Sequence, residues 1–122
     1  MRALIIKREP LDLILTGLKT WELRSSRTHV RGPIGLIASG SGMIIGTAVL
    51  VDCIGPLDEA TYENERSKHQ SRKPFEEQYE KLYAWVLEDA RRIEPVAYTH
   101  PRGAIIWVRI PDSRSPPKHL RT

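Results

Sequence analysis

The side chains best suited to chemistry lie together in one short segment, Gly17–Arg24. A glycine ends an apolar, helix-like run, and the residues after it alternate between polar and apolar. Because successive side chains of a strand point to opposite faces, the segment would bury Trp21 and Leu23 and present its polar groups in a row. Those polar groups are Lys19, Thr20, Glu22 and Arg24. An amine, a hydroxyl, a carboxylate and a guanidinium so arranged can bind an anion or move protons, and we predict a site here.

Two interpretations of Lys19, Glu22 and Arg24 follow from this pattern. In the functional one, Glu22 orients the two cations at an anion or nucleotide site, or accepts a proton. In the structural one, the three groups form an ion-pair network at the mouth of a small barrel, because residues two apart on a strand share a face. An exposed ion pair contributes no more than about 1 kcal/mol, so stability alone is a weak reason for such a cluster.

The elements that must position this segment are mainly short strands. The apolar patterns predict strands over Ala3–Ile6, Thr20–Ser25, Ile34–Ala38, Met43–Cys53 and Ala104–Ile110. A short helix is predicted over Glu9–Gly17, because proline suits the first turn of a helix and glycine its C-terminal stop. The stretch Tyr83–Leu87 fits either a helix or a strand.

The chain between residues 58 and 82 is predicted to be less regular. Asp58–Thr61 can open a short helix, Asn64–Pro74 is polar and aperiodic and is predicted to be an exposed loop, and an amphipathic helix is predicted to begin near Phe75. Five or six strands with two or three short helices predict an α+β, mainly β fold: a small, mainly antiparallel β-barrel with helices at its rim. We predict one domain over residues 1–111 and a flexible C-terminal tail over 112–122.

Composition limits the functional classes. The chain has 122 residues, 40% of them hydrophobic, which is enough for one domain with a real core. Its single cysteine, Cys53, excludes an intramolecular disulfide, and its four scattered histidines predict no metal site. No stretch has the pattern of a signal peptide or a membrane span, so we expect a cytoplasmic protein. We also expect that the protein uses no cofactor.

The net charge of +4 is unevenly distributed along the chain. Residues 1–35 and 95–122 each carry a net charge of +4, whereas residues 52–94 carry −4. Such a chain can fold with a basic face that attracts phosphates, or with a solvated mixed surface. In the first case four basic residues would follow a phosphate backbone along one rim: Lys7, Arg8, Arg27 and Arg31.

Three aromatic residues are candidates for stacking on a nucleic-acid base, namely Tyr83, Trp85 and Trp107. Trp107 lies in a run of isoleucine and valine, which favours a position in the core. For Trp85, a stacking surface and a core position are equally compatible with the sequence. His100 and Arg102 share one turn and are further candidates for a binding cleft, although a locally bonded turn is the favoured interpretation of His100.

The motif Gly-x-Lys-Thr-x-Glu-x-Arg at Gly17–Arg24 resembles the ASCH domain, a branch of the PUA-like barrels. Further blocks extend the resemblance over most of the chain: Lys7-Arg8, Gly46-Thr47-Ala48, Tyr83-Ala84-Trp85-Val86-Leu87 and His100 to Val108. The resemblance implies a PUA-like β-barrel with a cleft beside the motif strand, and a strand for Tyr83–Leu87. It also implies an association with RNA, since related PUA domains bind RNA.

Some small bacterial members of this family are amidohydrolases that act on N4-acetylcytidine, and ribonuclease activity occurs in the family as well. The resemblance aligns their lysine with Lys19 but their nucleophilic threonine with Glu22. A carboxylate there is better suited to holding a cation or activating a water, and Thr20 could supply the hydroxyl only if a bulge re-aimed it. The same mechanism is therefore not expected. Their further glutamate could match Glu76, Glu77 or Glu80.

Three functions remain as hypotheses. The first is a module that binds RNA or a modified nucleotide through a basic cleft at the motif; its predicted contacts are Lys7, Arg8, Lys19, Arg24, Arg27, Trp85, His100 and Arg102. The second is a metal-free hydrolase of acylated nucleosides or of RNA, with Lys19 and Glu22 as the working pair. The third is a protein-interaction domain whose acidic middle segment docks a basic partner. The sequence leaves the ligand and the oligomeric state open.

Overall fold

Six strands and a few short helices make up residues 1–111, the part of the chain that the computed structural model describes; the predicted tail over 112–122 lies outside it. The strands are β1 (Arg2–Ile6), β2 (Trp21–Arg24), β3 (Gly32–Ala38), β4 (Met43–Ile54), β5 (Tyr83–Ala97) and β6 (Trp107–Arg109). The helices are α1 (Arg8–Leu15), α2 (Glu59–Asn64) and α3 (Arg66–His69), with one 3₁₀ turn at Phe75–Glu77. The predicted mainly β class is confirmed.

The strands form one curled sheet, a half-barrel, in the order β2-β5-β4-β3-β1-β6. Neighbours run antiparallel except β1 and β3, which are parallel. The connection between them contains α1 and β2 and is long enough for the crossover that parallel strands need. The main core lies on the inner face and includes Leu4, Leu36, Leu50 and Trp85. The curl brings β5 and β6 together although they are far apart in the order: the Trp85 and Trp107 rings stack with centroids 5.7 Å apart.

Helix α1 closes one side of this core and thereby fixes where the motif segment begins. Leu11 and Ile14 are buried in the main cluster. Gly46 allows the close approach, because a Cβ there would lie 2.5 Å from the Leu15 side chain and 2.8 Å from the Arg91 carbonyl oxygen. The end of the helix is therefore held against β4 and β5.

Strand β5 confirms the assignment of Tyr83–Leu87 to a strand and extends beyond it. The strand continues past Pro95 to Ala97. A proline cannot donate to a ladder, so it is tolerated where pairing is interrupted. The pairing with β4 is irregular at this point: Arg92 faces Gly46, and Val96 faces Ile44.

Two predictions between residues 64 and 82 are wrong. The predicted loop contains α3, in which His69 is completely buried, and the predicted amphipathic helix is a single 3₁₀ turn that leaves Tyr79 61% exposed. The helical spacing gave a wrong prediction because Leu82 and Val86, at its C-terminal end, lie just before β5 and within β5. The remaining residues are too few to form a stable helix of their own.

The last strand is shorter than the predicted Ala104–Ile110. It pairs only with the first residues of β1, from Arg2 to Leu4, and this limits the ladder to Trp107–Arg109. Ile105 is 79% exposed instead of packing in a sheet.

Candidate functional site

The motif segment is set in place by a glycine turn between α1 and β2. Gly17 has a φ of +84°, a conformation that glycine adopts without strain. The amides of Leu18 and Lys19 both donate to the carbonyl oxygen of Leu13, at 3.0 and 3.1 Å. Thr20 then bonds to α3 through its amide, 2.9 Å from the Lys68 oxygen. The lysine and the strand after it therefore start from a rigid position.

Strand β2 alternates as predicted, but both of its faces are covered. Trp21 packs in a small separate cluster with Leu57 and Tyr62. Glu22 lies opposite Trp85 in the β2–β5 register, on the inner side of the half-barrel. The polar face of the motif therefore points into the fold, where charge must be paired.

Lys19, Glu22 and Arg24 converge in an ion network. The Lys19 Nζ lies 3.7 Å from Glu22 Oε1, and the Arg24 guanidinium lies 2.9 Å from Glu22 Oε2. Each cation also donates to a main-chain oxygen: Lys19 to His69 at 2.6 Å and Arg24 to Ile5 at 2.9 Å. The network thus ties β2 to α3 on one side and to β1 on the other.

This network is nearly closed to solvent. Lys19 and Glu22 are each 6% exposed, and the Arg24 side chain is 18% exposed. Burial lowers the pKa of Lys19, since the charged ammonium loses water; the charge of Glu22 opposes this shift and that of Arg24 adds to it. The lysine is therefore easier to deprotonate than an ordinary surface lysine.

His69, whose oxygen receives the lysine, is itself held by two hydrogen bonds. Its Nε2 lies 2.8 Å from the Tyr62 carbonyl oxygen, and its Nδ1 lies 3.0 Å from the Ser71 amide. Since a carbonyl only accepts and an amide N–H only donates, the ring carries its proton on Nε2 and is neutral. Burial also lowers the pKa of His69.

The other residues weighed as partners of Lys19 lie elsewhere. Thr20 is exposed, and so are the three downstream glutamates; none of the four forms a side-chain hydrogen bond or ion pair with Lys19 within residues 1–111. The downstream candidates are Glu76, Glu77 and Glu80. In the described chain the ion-pair partner of Lys19 is therefore Glu22, which also pairs with Arg24.

Apart from Lys19 and Arg24 of the ion network, the predicted nucleic-acid contacts are five exposed residues and one buried residue. Lys7, Arg8, Arg27, His100 and Arg102 are all exposed. His100 is bonded locally to Tyr98 and to the Ala104 oxygen. Trp85 is 1% exposed, with its indole N–H donating to the Ser26 oxygen at 2.9 Å. A base cannot reach its ring in this conformation, so Trp85 supports its neighbours from within.

Two surface depressions separate the exposed cations that the sequence placed on one rim. One, of about 440 Å³, is lined by Arg8, Arg92, Glu94 and apolar residues of β4. The other, of about 630 Å³, is lined by Arg27 and Arg31 together with residues that sequence reasoning missed, Arg2 and His29. Arg2 and Arg8 lie at opposite ends of β1, so a single rim does not hold all of these cations.

Residues 1–111 contain no group of three or more His, Cys, Asp or Glu side chains placed to hold a metal ion. In the same part of the chain, none of the helices has the length and apolar character needed to cross a membrane.

Comparison with known proteins identifies a family and several similar solved structures. A family model for the ASCH domain matches residues 4–97. The fold is similar to ASCH from Zymomonas mobilis, with a TM-score of 0.68 and 22% identity over 88% of this chain and 87% of that one. A serine-to-alanine variant of that protein gives a TM-score of 0.67 and 24% identity over 88% and 87% of the two chains. No curated protein sequence matches the chain.

Proposed function

The chain belongs to the ASCH domain family, and on that premise we propose that it binds RNA or a nucleotide. ASCH domains have a PUA-like fold that is generally linked to RNA binding. The observation that supports binding in this chain is a set of exposed cations without acidic partners. Lys7, Arg8, Arg27 and Arg102 form no salt bridge within residues 1–111 and are free to meet phosphates.

The motif residues have a supporting part in this proposal. Lys19 and Arg24 are already paired with Glu22 and bonded to carbonyl oxygens, so little of their charge is available to a ligand. They hold β2 against α3 and β1.

Binding of a fluorescein-labelled single-stranded RNA of ten nucleotides, measured at 50 and 200 mM salt, tests the proposal. With three phosphate contacts, the affinity should fall about 20-fold between these salt concentrations. Replacing Lys7 and Arg8 together by glutamine should weaken binding and flatten the salt dependence. The matched control replaces Arg72 and Lys81, which are exposed in the acidic middle segment, by glutamine and should leave binding unchanged. No binding of RNA or nucleotide by the wild-type chain at 50 mM salt would overturn the proposal.

A hydrolase that uses Lys19 and Glu22 is the second candidate. One observation favours it: burial lowers the pKa of Lys19, and an amine that is more easily deprotonated is a better general base. The Glu22 carboxylate at 3.7 Å would then orient the amine or a water. Incubation with N4-acetylcytidine and with RNA, followed by chromatography, tests it. Turnover that is equal in the wild type and in a folded Glu22→Gln variant would rule out this pair.

A further inference from the structure

The depression of about 630 Å³ lies where the start of β1 meets the loop after β2. Its basic lining consists of Arg2, Arg27 and Arg31, with His29 beside them. Guanidinium groups bind phosphate in a bidentate manner, so three of them around one depression favour a phosphorylated ligand. Lys19, Glu22 and Arg24 do not line it, which separates it from the ion network of the motif.

The positive charge of this depression is largely uncompensated. Arg2 and Arg27 form no salt bridge within residues 1–111, and Arg31 reaches only Asp52, at 3.9 Å, with both side chains well exposed. Such a long, solvated pair is weak, so the guanidinium of Arg31 remains available to a stronger anion.

Two of the arginines are also held in place before any ligand binds. Arg27 donates to the Gly55 oxygen at 2.8 Å and lies 5.0 Å from the centroid of the Tyr83 ring. Arg31 donates to the oxygens of Thr28 and Val30, at 3.1 and 2.8 Å. Each guanidinium has further N–H donors left over. Little side-chain entropy is lost when groups held in this way bind a phosphate.

Trp107 adds an aromatic surface to the same depression. It is half-buried and lines the depression, while its ring stacks on Trp85 with an interplanar angle of 11°. Trp85 is fixed in turn by its hydrogen bond to the Ser26 oxygen and lies 5.4 Å from the Arg24 guanidinium. The part of the Trp107 ring that Trp85 leaves uncovered is therefore a rigid surface on which a base can stack.

We propose that this depression binds one nucleotide unit, with its base stacked on Trp107 and its phosphate held by Arg2, Arg27 and Arg31. The inference rests on the proposed function and assigns it to a place apart from the motif residues. The volume lies within the range of small-molecule sites. A base inside a duplex has both faces covered, so the unit comes from single-stranded RNA or from a free nucleoside monophosphate.

The first experiment measures RNA binding by a triple variant, Arg2→Gln, Arg27→Gln and Arg31→Gln. A matched triple variant, Arg72→Gln, Lys73→Gln and Lys81→Gln, removes the same charge from exposed sites in the acidic middle segment. Both are titrated with the labelled ten-nucleotide RNA at several salt concentrations. We expect the slope of log affinity against log salt to become shallower by about 0.7 in the first variant and to stay unchanged in the second, since the three arginines hold one phosphate and each single-strand phosphate that is neutralised contributes about 0.7.

The second experiment follows tryptophan fluorescence with uridine 5′-monophosphate, uridine and inorganic phosphate as separate probes. Stacking on Trp107 should quench the emission of the wild-type chain, and Trp107→Phe should abolish the quenching while retaining binding, because phenylalanine also stacks on bases. Trp107→Leu should weaken binding of the monophosphate about 5- to 100-fold. If that variant does not fold, Trp107→Phe and the arginine variants still decide the question.

The outcomes separate the two proposals. RNA binding that both triple variants weaken equally would overturn the nucleotide site while the proposed function stands. Quenching that persists in Trp107→Phe would also overturn it. If uridine 5′-monophosphate binds and RNA does not, the site takes a free nucleotide; if RNA binds more tightly than the monophosphate, the unit belongs to a chain. A wild-type protein that binds none of the probes at low salt would overturn the proposed function itself.

Discussion

The ion network of the motif and the basic depression both contain arginine, but the charges of the network are paired and buried, whereas those of the depression are largely unpaired and exposed. In the network, Glu22 contacts both cations, and a main-chain carbonyl oxygen accepts one hydrogen bond from each of them. In the depression, Arg2 and Arg27 lack an acidic partner within the described residues and are exposed. The difference shows that a charged motif on a strand can serve the fold, while less conspicuous cations on loops and strand ends remain exposed to solvent.

The physical reason is burial. A charge taken out of water must be paired and hydrogen-bonded, or the fold loses several kilocalories per mole. A charge left in water costs the fold little and contributes little to it. The two regions should therefore respond differently to substitution, and four predictions test this contrast.

The largest effect is expected for Glu22→Ala. It leaves Lys19 and Arg24 buried beside each other with no anion between them, which should lower the free energy of unfolding by about 3–5 kcal/mol. Urea denaturation followed by circular dichroism measures the change, with Glu76→Ala as an exposed control that should shift stability by less than about 0.5 kcal/mol. Equal effects of the two variants would mean that the network does not stabilise the fold.

Arg24→Lys should cost about 2 kcal/mol although it preserves the charge. The guanidinium bonds Glu22 and the Ile5 oxygen at the same time, and an ammonium at the end of a lysine does not reproduce that planar fork. The same denaturation experiment measures it. A fully stable Arg24→Lys variant would show that the tie between β2 and β1 is dispensable.

Acidification should destabilise the fold through His69. Burial lowers the pKa of His69, so the unfolded chain takes up a proton near pH 6.5 that the folded chain refuses. The free energy of unfolding should therefore be highest above that pH. It should decrease as the pH falls below it, by no more than about 1.4 kcal/mol per pH unit from this one group.

Denaturation at pH 7.5 and pH 5.5 measures this dependence. A His69→Gln variant should be less stable at both pH values and show a smaller difference between them. The exposed His29→Gln variant should keep the wild-type difference. A pH dependence that is unchanged in His69→Gln would contradict the neutral state inferred from the hydrogen bonds of His69.

The smallest effect on stability is expected for Arg2→Gln, within about 0.5 kcal/mol, because its exposed side chain forms no salt bridge within residues 1–111. The RNA titration should nevertheless respond to it, with a salt slope that becomes shallower by less than about 0.7, since Arg27 and Arg31 still hold the same phosphate. A large loss of stability with unchanged RNA binding would mean that Arg2 serves the fold and not the ligand, which contradicts the contrast drawn between the two regions.

Much of the fold follows from local patterns. Residues that alternate or run apolar, such as Met43–Ile54, identify strands because one face of a sheet must be buried. The errors lie where two patterns compete. Residues 75 to 86 have helical spacing, but the strand-forming end of that stretch pairs with β2 and β4 and leaves no helix.

The candidate site divides in the same way. The pairing of Glu22 with Arg24 could be predicted, because residues two apart on one strand share a face. Lys19 precedes the strand, and the turn after α1 brings it to Glu22. The depression could not be predicted, since Arg2, Arg27 and Trp107 lie on three separate segments that meet only when the sheet curls.

The sequence by itself determined most of the strands and the polar row at Gly17–Arg24, because these depend on local periodicity and spacing. Its motif also resembles the ASCH domain, the family whose model matches residues 4–97. Only the tertiary structure decided which charges are buried and which remain free. Glu22 is enclosed because the sheet curls and brings β1 close to β2, whereas Arg27 stays in solvent on the loop beyond β2. Burial depends on contacts between distant segments, and no local pattern contains them.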